Sequence, residues 1–348
     1  MFPALARTIR DRPIVYLDHA CTTLRPESVL NAVDSFGRRG SGCHGRADHF
    51  LGREATLTRQ ESRETVRDFM GATGADEIIF VRNATEALNL VAECLPLKPG
   101  DAVLTTGMEH NSNLLPWQRL ARTRKVRHVV HGLDPVRGFD SDAFLRDLTP
   151  DVRLVSVFHV SNLCGIELPV EWIAMEARKR GVMTLIDGAQ AVTTHSLDVA
   201  SWGVDFYAFS FHKMFGPTGI GALFGRRDVL KGMPPFRVGG DTVLDTTYER
   251  ATWAPAPQRF EAGVADLDGE VGAAAAARFV RDIGPDRIRA HAVALNARAT
   301  EGLIRHPRVR LVGPTDASAR NGILNFHVDG LDSRSLAGLL DERANIMV

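Results

Sequence analysis

The sequence predicts an α/β fold with a mostly parallel central sheet flanked by helices, followed by a smaller α+β segment. Three observations predict it. Short apolar runs of four to six residues recur along the first two-thirds of the chain, alternating with stretches of helical period. The runs are almost wholly apolar, as strands are when helices cover both faces of their sheet. Polar, chemistry-bearing residues follow several of these runs directly, at the strand ends where open α/β sheets bind ligands.

Taken in order, the strand-like runs are 78–81, 102–106, 126–130, 154–159, 183–186, 206–211 and 219–224. Helical patterns fall at 84–95, 113–121, 141–148 and 170–180. The rhythm breaks over 234–257, where Pro, Gly and Thr cluster. A helix is then expected from Gly272 to about Ile283, its five alanines Ala273 to Ala277 forming a tightly packed interior. A second runs from Asp286 to about Ile304, followed by strands near 308–312 and 323–327 and a helix over 333–343. The expected division is a large domain over 16–283 and a small α+β domain over 284–348, with 1–15 joining the latter. The terminal Ile346-Met347-Val348 reads as the start of another strand, so the small domain is expected to be incomplete.

At 348 residues the chain has the length of about two domains. Its 42 basic and 42 acidic residues balance, which gives no footprint for nucleic acid or an anionic membrane. No apolar run approaches the ~18 residues of a membrane span, and the opening apolar segment is too short for a signal peptide. Cysteines at 21, 43, 94 and 164 form no C-x-x-C pair, which argues against a zinc ribbon or a disulfide scaffold. The expectation is a cytoplasmic enzyme with no metal.

The chemistry concentrates after the strands. Asp187-Gly-Ala-Gln190 ends one apolar run and Ser210-Phe-His-Lys213 ends another, 26 residues separating Asp187 from Lys213. A carboxylate and a lysine so placed suit a pyridoxal phosphate (PLP) site, with Lys213 forming the Schiff base and Asp187 pairing with the pyridinium nitrogen. Each has a plainer reading, Asp187 as a helix cap and Lys213 as a surface residue. Arg82-Asn-Ala-Thr-Glu-Ala-Leu-Asn89 joins a strand to a helix, an anion-binding arrangement that suits a phosphate and is also an ordinary N-cap. Ser210 and His212 offer further donors to the same phosphate. His110, in Glu109-His-Asn-Ser-Asn113, has the ring to stack on a planar cofactor, or is structural. Asn162 and Gln190 are placed to reach the cofactor's ring hydroxyl.

Together these segments resemble the class V aminotransferase family of fold type I PLP enzymes, and within it most closely the SufS/CsdA-type cysteine desulfurases. The similarity runs from Val15-Tyr-Leu-Asp-His-Ala20 to the chain end. It is carried by the motifs above with Glu109-His-Asn-Ser-Asn-Leu-Leu-Pro-Trp-Gln118, His159-Val-Ser-Asn-Leu-Cys-Gly165 and Arg259-Phe-Glu-Ala-Gly263. The resemblance implies that Lys213 carries the cofactor and shuttles protons, that Asp187 holds the pyridinium nitrogen, and that His110 stacks on the ring and serves as acid or base. It assigns the ring hydroxyl to Asn162 and Gln190 and the phosphate to Thr85, Ser210 and His212. It further implies a homodimer, L-cysteine as substrate, L-alanine as product and sulfur leaving as a persulfide, with a sulfur-acceptor protein as a possible partner.

Three departures stand out. Val264 occupies the place where the family has a Thr that reaches the partner subunit's phosphate. Phe211 replaces a small residue before His212 and is expected to crowd the site. The sequence stops before the loop that carries the family's nucleophilic Cys and the Arg that grips the substrate carboxylate. Cys21 and Cys43 lie in segments that line the family's substrate pocket, whereas Cys94 is expected in the core and Cys164 on a constrained turn. No surviving motif names the carboxylate clamp; Arg46, on the same Gly/His-rich loop as Cys43, which resembles an active-site loop of the family, is a candidate, and its plainer reading is an ordinary solvated Arg. Alternatives therefore stay open: a C–S lyase, a selenocysteine lyase or an aminotransferase of the same class, or a catalytically impaired PLP-binding protein with a partner-binding role. A dinucleotide oxidoreductase fits worse, because Gly216-Pro-Thr-Gly-Ile-Gly221 has the wrong spacing and precedes a strand.

Overall fold

A computed structural model describes residues 1–40 and 42–348. Seven strands form the central sheet: β1 (Ile78–Val81), β2 (Ala102–Thr106), β3 (Arg127–His131), β4 (Val152–Phe158), β5 (Met183–Asp187), β6 (Phe206–Ser210) and β7 (Gly221–Gly225). Their spatial order is β1-β7-β6-β5-β4-β2-β3. Only β7 runs antiparallel to its neighbours, so β1, β2, β4, β5 and β6 all point their C-terminal ends to one edge. Every residue of β1, β2, β6 and β7 is buried, which is why these strands read as unbroken apolar runs.

The differences from expectation are local. The run over 206–211 stops being a strand at Ser210, because Phe211–Lys213 coils into a 3-10 turn. The last strand starts at Gly221 rather than 219, since Gly219 sits at φ +84° in the preceding turn. Two long helices lie where no helix is expected, α1 (Glu27–Arg39) and α2 (Phe50–Met70), besides short helical turns at Val199–Trp202 and Arg227–Gly232. The buried side of α2 includes Gly52, Ser62 and Arg63, so hydrophobic period alone does not reveal it. Its punctuation is clearer: His49 caps the first turn, accepting from the Gly52 N–H, and Gly71 closes the last turn in the left-handed conformation.

The flanking helices α3 (Ala84–Cys94), α4 (Leu115–Arg124), α5 (Ser141–Asp147) and α6 (Val170–Arg178) follow the expected order. Helix α7 (Leu267–Ile283) starts five residues earlier than expected, capped by Asp266, and packs against both α1 and α2. All five alanines at 273–277 are buried there. Gly284 ends α7, and Pro285 opens α8 (Pro285–Leu303).

The segment that breaks the rhythm holds a small hairpin, β8 (Val243–Thr246) with β9 (Ala251–Trp253). Near the C-terminus β10 (Val309–Val312) pairs antiparallel with β11 (Asn325–Val328), and α9 (Ser333–Ala344) follows. The short strand Ile346–Met347 lies parallel to Val15–Tyr16, with the Val15 and Leu17 N–H groups donating to Asn345 and Met347. Among the described residues no helix is long and apolar enough to cross a membrane.

Candidate active site

The register of the sheet places Phe158 beside Asp187 and Asp187 beside Ala208. Two residues beyond Ala208, Ser210 ends β6, and the 3-10 turn then delivers Lys213 to the same edge. Asp187 is 7% exposed. Its backbone is held on both sides, the His159 N–H donating to its carbonyl (2.9 Å) and the Gly188 N–H donating to Ala208 (2.8 Å). Oδ1 accepts from the Ala189 N–H at 3.0 Å, the local bond of a strand-end cap. Burial pushes the Asp187 carboxyl up, opposed by that bond and by the charges of Lys213 and His110. Burial likewise pulls the Lys213 amine down, opposed by Asp187 and Cys21.

Lys213 is thus half-buried, and among the described residues neither it nor Asp187 has an ion-pair partner within 4 Å. A primary amine with a depressed pKa and a buried carboxylate with an open oxygen match the two ends of PLP, the aldehyde and the pyridinium nitrogen. The residues present fit that cofactor.

Helix α3 supplies the anion end. Asn83 caps it, accepting from the Glu86 N–H at 2.9 Å, and among the described residues the Thr85 N–H is the first-turn amide with no partner, at the helix end past β1. Ser210 Oγ accepts from the Ala84 N–H at 2.8 Å, tying the end of β6 to this cradle and leaving the hydroxyl hydrogen to donate. Thr85 Oγ1 and Ser112 Oγ lie 2.7 Å apart, and Ser112 contacts His110 Nδ1 at 3.0 Å. The Ser112 N–H also donates to His110 Nδ1, which orients the exposed ring and leaves Nε2 unengaged by this turn. Thr85, His110, Asp187, Ser210 and Lys213 are therefore linked by contacts or by shared charge.

The remaining candidates lie around them. His212 is half-buried, and its carbonyl accepts from the Thr23 N–H (2.8 Å), Thr23 Oγ1 (2.9 Å) and Thr22 Oγ1 (3.2 Å). This clamp docks the Asp18–Thr23 arm beside Lys213. Gln190 Nε2 donates to the Ala20 carbonyl of the same arm at 2.8 Å, so its amide is engaged there. Asn162, half-buried, sits in the turn closed by the Gly165 N–H donating to Ser161 (2.9 Å).

Phe211 does not crowd the site. It is fully buried and packs edge-on against Phe209 at 5.0 Å in the core beneath the turn. The alternation of a strand end, carried through the turn, sends this ring inward. Cys94 and Cys164 are buried, and Cys21 and Cys43 are exposed. Arg46 pairs with Asp241 at 2.8 Å.

Several supporting residues had no role in the sequence reading. Glu109 is buried between β2 and β4, accepting from Thr106 Oγ1 (2.7 Å), Asn113 Nδ2 (2.7 Å) and the Phe158 N–H (3.2 Å). Burial raises it to about 8 in spite of those bonds. Glu261 accepts from Arg63 Nη1 (2.7 Å), Arg63 Nη2 (2.8 Å), Arg59 Nη2 (2.5 Å) and the Phe80 N–H (2.7 Å). Arg63 also donates to the Ile78 carbonyl at 2.7 Å. Strand β1 lies at the sheet edge, so this pair covers backbone groups that would otherwise be open to pairing. The signal was an acid in the middle of Arg259-Phe-Glu-Ala-Gly, a motif with no obvious ligand role.

The fold and the strand-end constellation define a PLP-type α/β enzyme, and the chain belongs to the class V aminotransferase family, whose model matches residues 15–348. It is 40% identical to a probable cysteine desulfurase of Mycobacterium leprae over 98% of this chain and 83% of that protein. A cysteine desulfurase of Haloferax volcanii is 38% identical over 95% of this chain and 78% of its own length. Among solved structures, the apo cysteine desulfurase of Thermococcus onnurineus superposes with a TM-score of 0.92 at 35% identity, covering 96% of this chain and 83% of that one.

Proposed function

We infer that this chain is a PLP-dependent cysteine desulfurase that converts L-cysteine to L-alanine and passes the sulfur on as a persulfide. The observation that carries it is the placement of a buried carboxylate, Asp187, and a half-buried lysine, Lys213, at neighbouring strand ends beside a capped helix N-terminus. When bound, PLP supplies an electron sink for bonds at the substrate α-carbon.

The chain's own residues do the rest. Lys213 is the covalent attachment point, and its burial-lowered pKa keeps more of the amine neutral, in the form that attacks a carbonyl and carries a proton. Asp187 holds the pyridinium nitrogen with its open oxygen, rigidly because its backbone is bonded on both sides. Thr85, Ser210, His212 and the first turn of α3 bind the phosphate. His110, fixed through Nδ1 by Ser112, covers the ring and presents Nε2 for proton transfer. Asn162 and Gln190 serve the ring hydroxyl, Gln190 by giving up its bond to Ala20. The thiol that receives sulfur must be exposed and partly ionised. Within this chain Cys21 and Cys43 are exposed, whereas burial pushes the Cys94 thiol up to about 12.

The same reading extends to a homodimer, a sulfur-acceptor protein and a cytoplasmic location, and it keeps the domain boundary at Gly284. Val264, 77% exposed in the single chain, is in keeping with a loop that meets a second subunit. The test is spectroscopic. PLP added to the chain should give a visible absorbance band that borohydride bleaches, with the label mapping to the Lys213 peptide. A Lys213→Ala chain that keeps a reducible, coloured cofactor would overturn the assignment.

A further inference from the structure

Behind Asp187 lies a second polar cluster that the catalytic roles above do not use. Tyr207, on β6, sits in register with Ile186 of β5. Its phenol end lies directly against Gly188: a Cβ at that position would fall 2.1–2.4 Å from Cε1, Cζ and the hydroxyl. The ring is therefore a floor under the backbone that follows Asp187, and only glycine admits it. The Tyr207 hydroxyl contacts His159 Nδ1 at 3.0 Å, and His159 is the residue whose N–H holds the Asp187 carbonyl.

From His159 the cluster continues outward. His159 Nε2 faces Glu167 Oε1 at 4.0 Å, and its ring lies tilted by 46° against His195 with centroids 4.7 Å apart. His195 Nε2 lies 3.1 Å from Glu167 Oε2, while its Nδ1 contacts Thr194 Oγ1 (3.0 Å) and the Ala191 carbonyl (3.2 Å). Arg289, from α8, closes the chain with Nη2 donating to Glu167 Oε2 at 2.8 Å and Nη1 lying 3.3 Å from His195 Nε2. Asn321 adds a weaker contact to the same oxygen at 3.4 Å.

Two histidines and a glutamate with donor atoms within 4.8 Å of one another are also a possible metal-ligand set. Here a guanidinium already contacts two of the three, so the cluster has its cation, and it is one supplied by a different part of the chain.

The charges in the cluster follow from its packing. Glu167 is held well below the usual carboxylate range, to about 2, its burial outweighed by the bond from His195 and the charge of Arg289. Burial keeps His159 neutral, at about 3. With Nε2 4.0 Å from Glu167, beyond hydrogen-bond reach, the 3.0 Å contact of Nδ1 with the Tyr207 hydroxyl is the hydrogen bond that ties the neutral His159 ring to β6. The phenol is thereby engaged by His159, and the Asp187 carboxylate, bonded through Oδ1 to the Ala189 N–H, keeps its other oxygen for a ligand.

We propose that Glu167, His195 and Arg289 are positioning residues for Asp187, acting through His159 and Tyr207, and that they couple helix α8 to the cofactor-binding strand ends. The proposal rests on the PLP reading above and goes beyond it in tying cofactor affinity to a contact with α8.

The test is a double-mutant cycle on the holoprotein, read as the PLP dissociation constant and the position of its visible absorbance band. Tyr207→Phe keeps the ring against Gly188 and cuts only the hydroxyl link; Arg289→Gln cuts the outer end. Each should weaken PLP about tenfold and move the band, and the double variant should be no worse than the weaker-binding single. Arg289→Lys should recover part of the loss. Wild-type affinity and an unmoved band in both singles would overturn the proposal, as would losses that simply multiply. A merely structural role would lower the melting temperature and leave affinity and band in place. Wild-type chain with no band that Lys213→Ala removes would instead overturn the PLP reading, and this proposal with it.

Discussion

The Glu261 clasp gives the most exacting test of how the site is held. Glu261→Ala removes a side chain 5% exposed and strands the Arg63 guanidinium, 10% exposed, while Arg59 keeps its second partner, Glu270, at 3.2 Å. It also leaves the Phe80 N–H without its partner on the open edge of β1. Removing one member of a buried ion pair costs about 3–5 kcal/mol, because the uncompensated charge stays behind. At ~2.1 cal/mol/K per residue, a chain of this length unfolds with an entropy of about 0.7 kcal/mol/K, so the loss corresponds to a melting temperature lower by about 4–7 °C. Because Phe80 lies five residues before Thr85, the same change should loosen the phosphate cradle and weaken PLP binding. Differential scanning calorimetry with and without PLP measures both. A shift below about 1 °C would refute the reasoning, since it would mean that solvent reaches Arg63 freely.

Two further outcomes follow from the same structure. A thiol reagent at neutral pH should modify Cys21 and Cys43 rapidly in the folded chain, and Cys94 and Cys164 only on unfolding; mass spectrometry of the labelled peptides counts them. Glu109 is raised by burial from its ordinary 4.5 to about 8, so the folded state favours its protonated form. Its stabilising contribution is complete below about pH 4.5 and is lost as pH rises through about 8. Melting curves should therefore fall more steeply between about pH 5 and pH 9 in the wild type than in Glu109→Gln, and parallel curves would contradict this.

Much of the fold and of the candidate site was legible because fold and chemistry use the same signal. Strands buried on both faces read as short apolar runs, and Thr85, His110, Asp187 and Lys213 all follow such runs directly. What was not legible has physical reasons. Helix α2 buries Arg63 and Ser62 against its neighbours, so its inner face does not look apolar. Glu261 and Glu109 serve backbone N–H groups far away in sequence, Phe80 and Phe158, and no local pattern announces such a bond. Phe211 was expected to intrude because it stands between two site residues; the turn sends it to the core. The contact of Arg289 with Glu167 spans 122 positions and depends on how α8 packs.

The central claim is that these strand ends direct PLP chemistry toward sulfur transfer. The most direct measurement is to incubate the chain with PLP and L-cysteine under a mild reductant and to quantify alanine, pyruvate and released sulfide together. The account predicts alanine and sulfide in equal amounts, both lost in Lys213→Ala. Pyruvate in place of alanine would show β-elimination and contradict it.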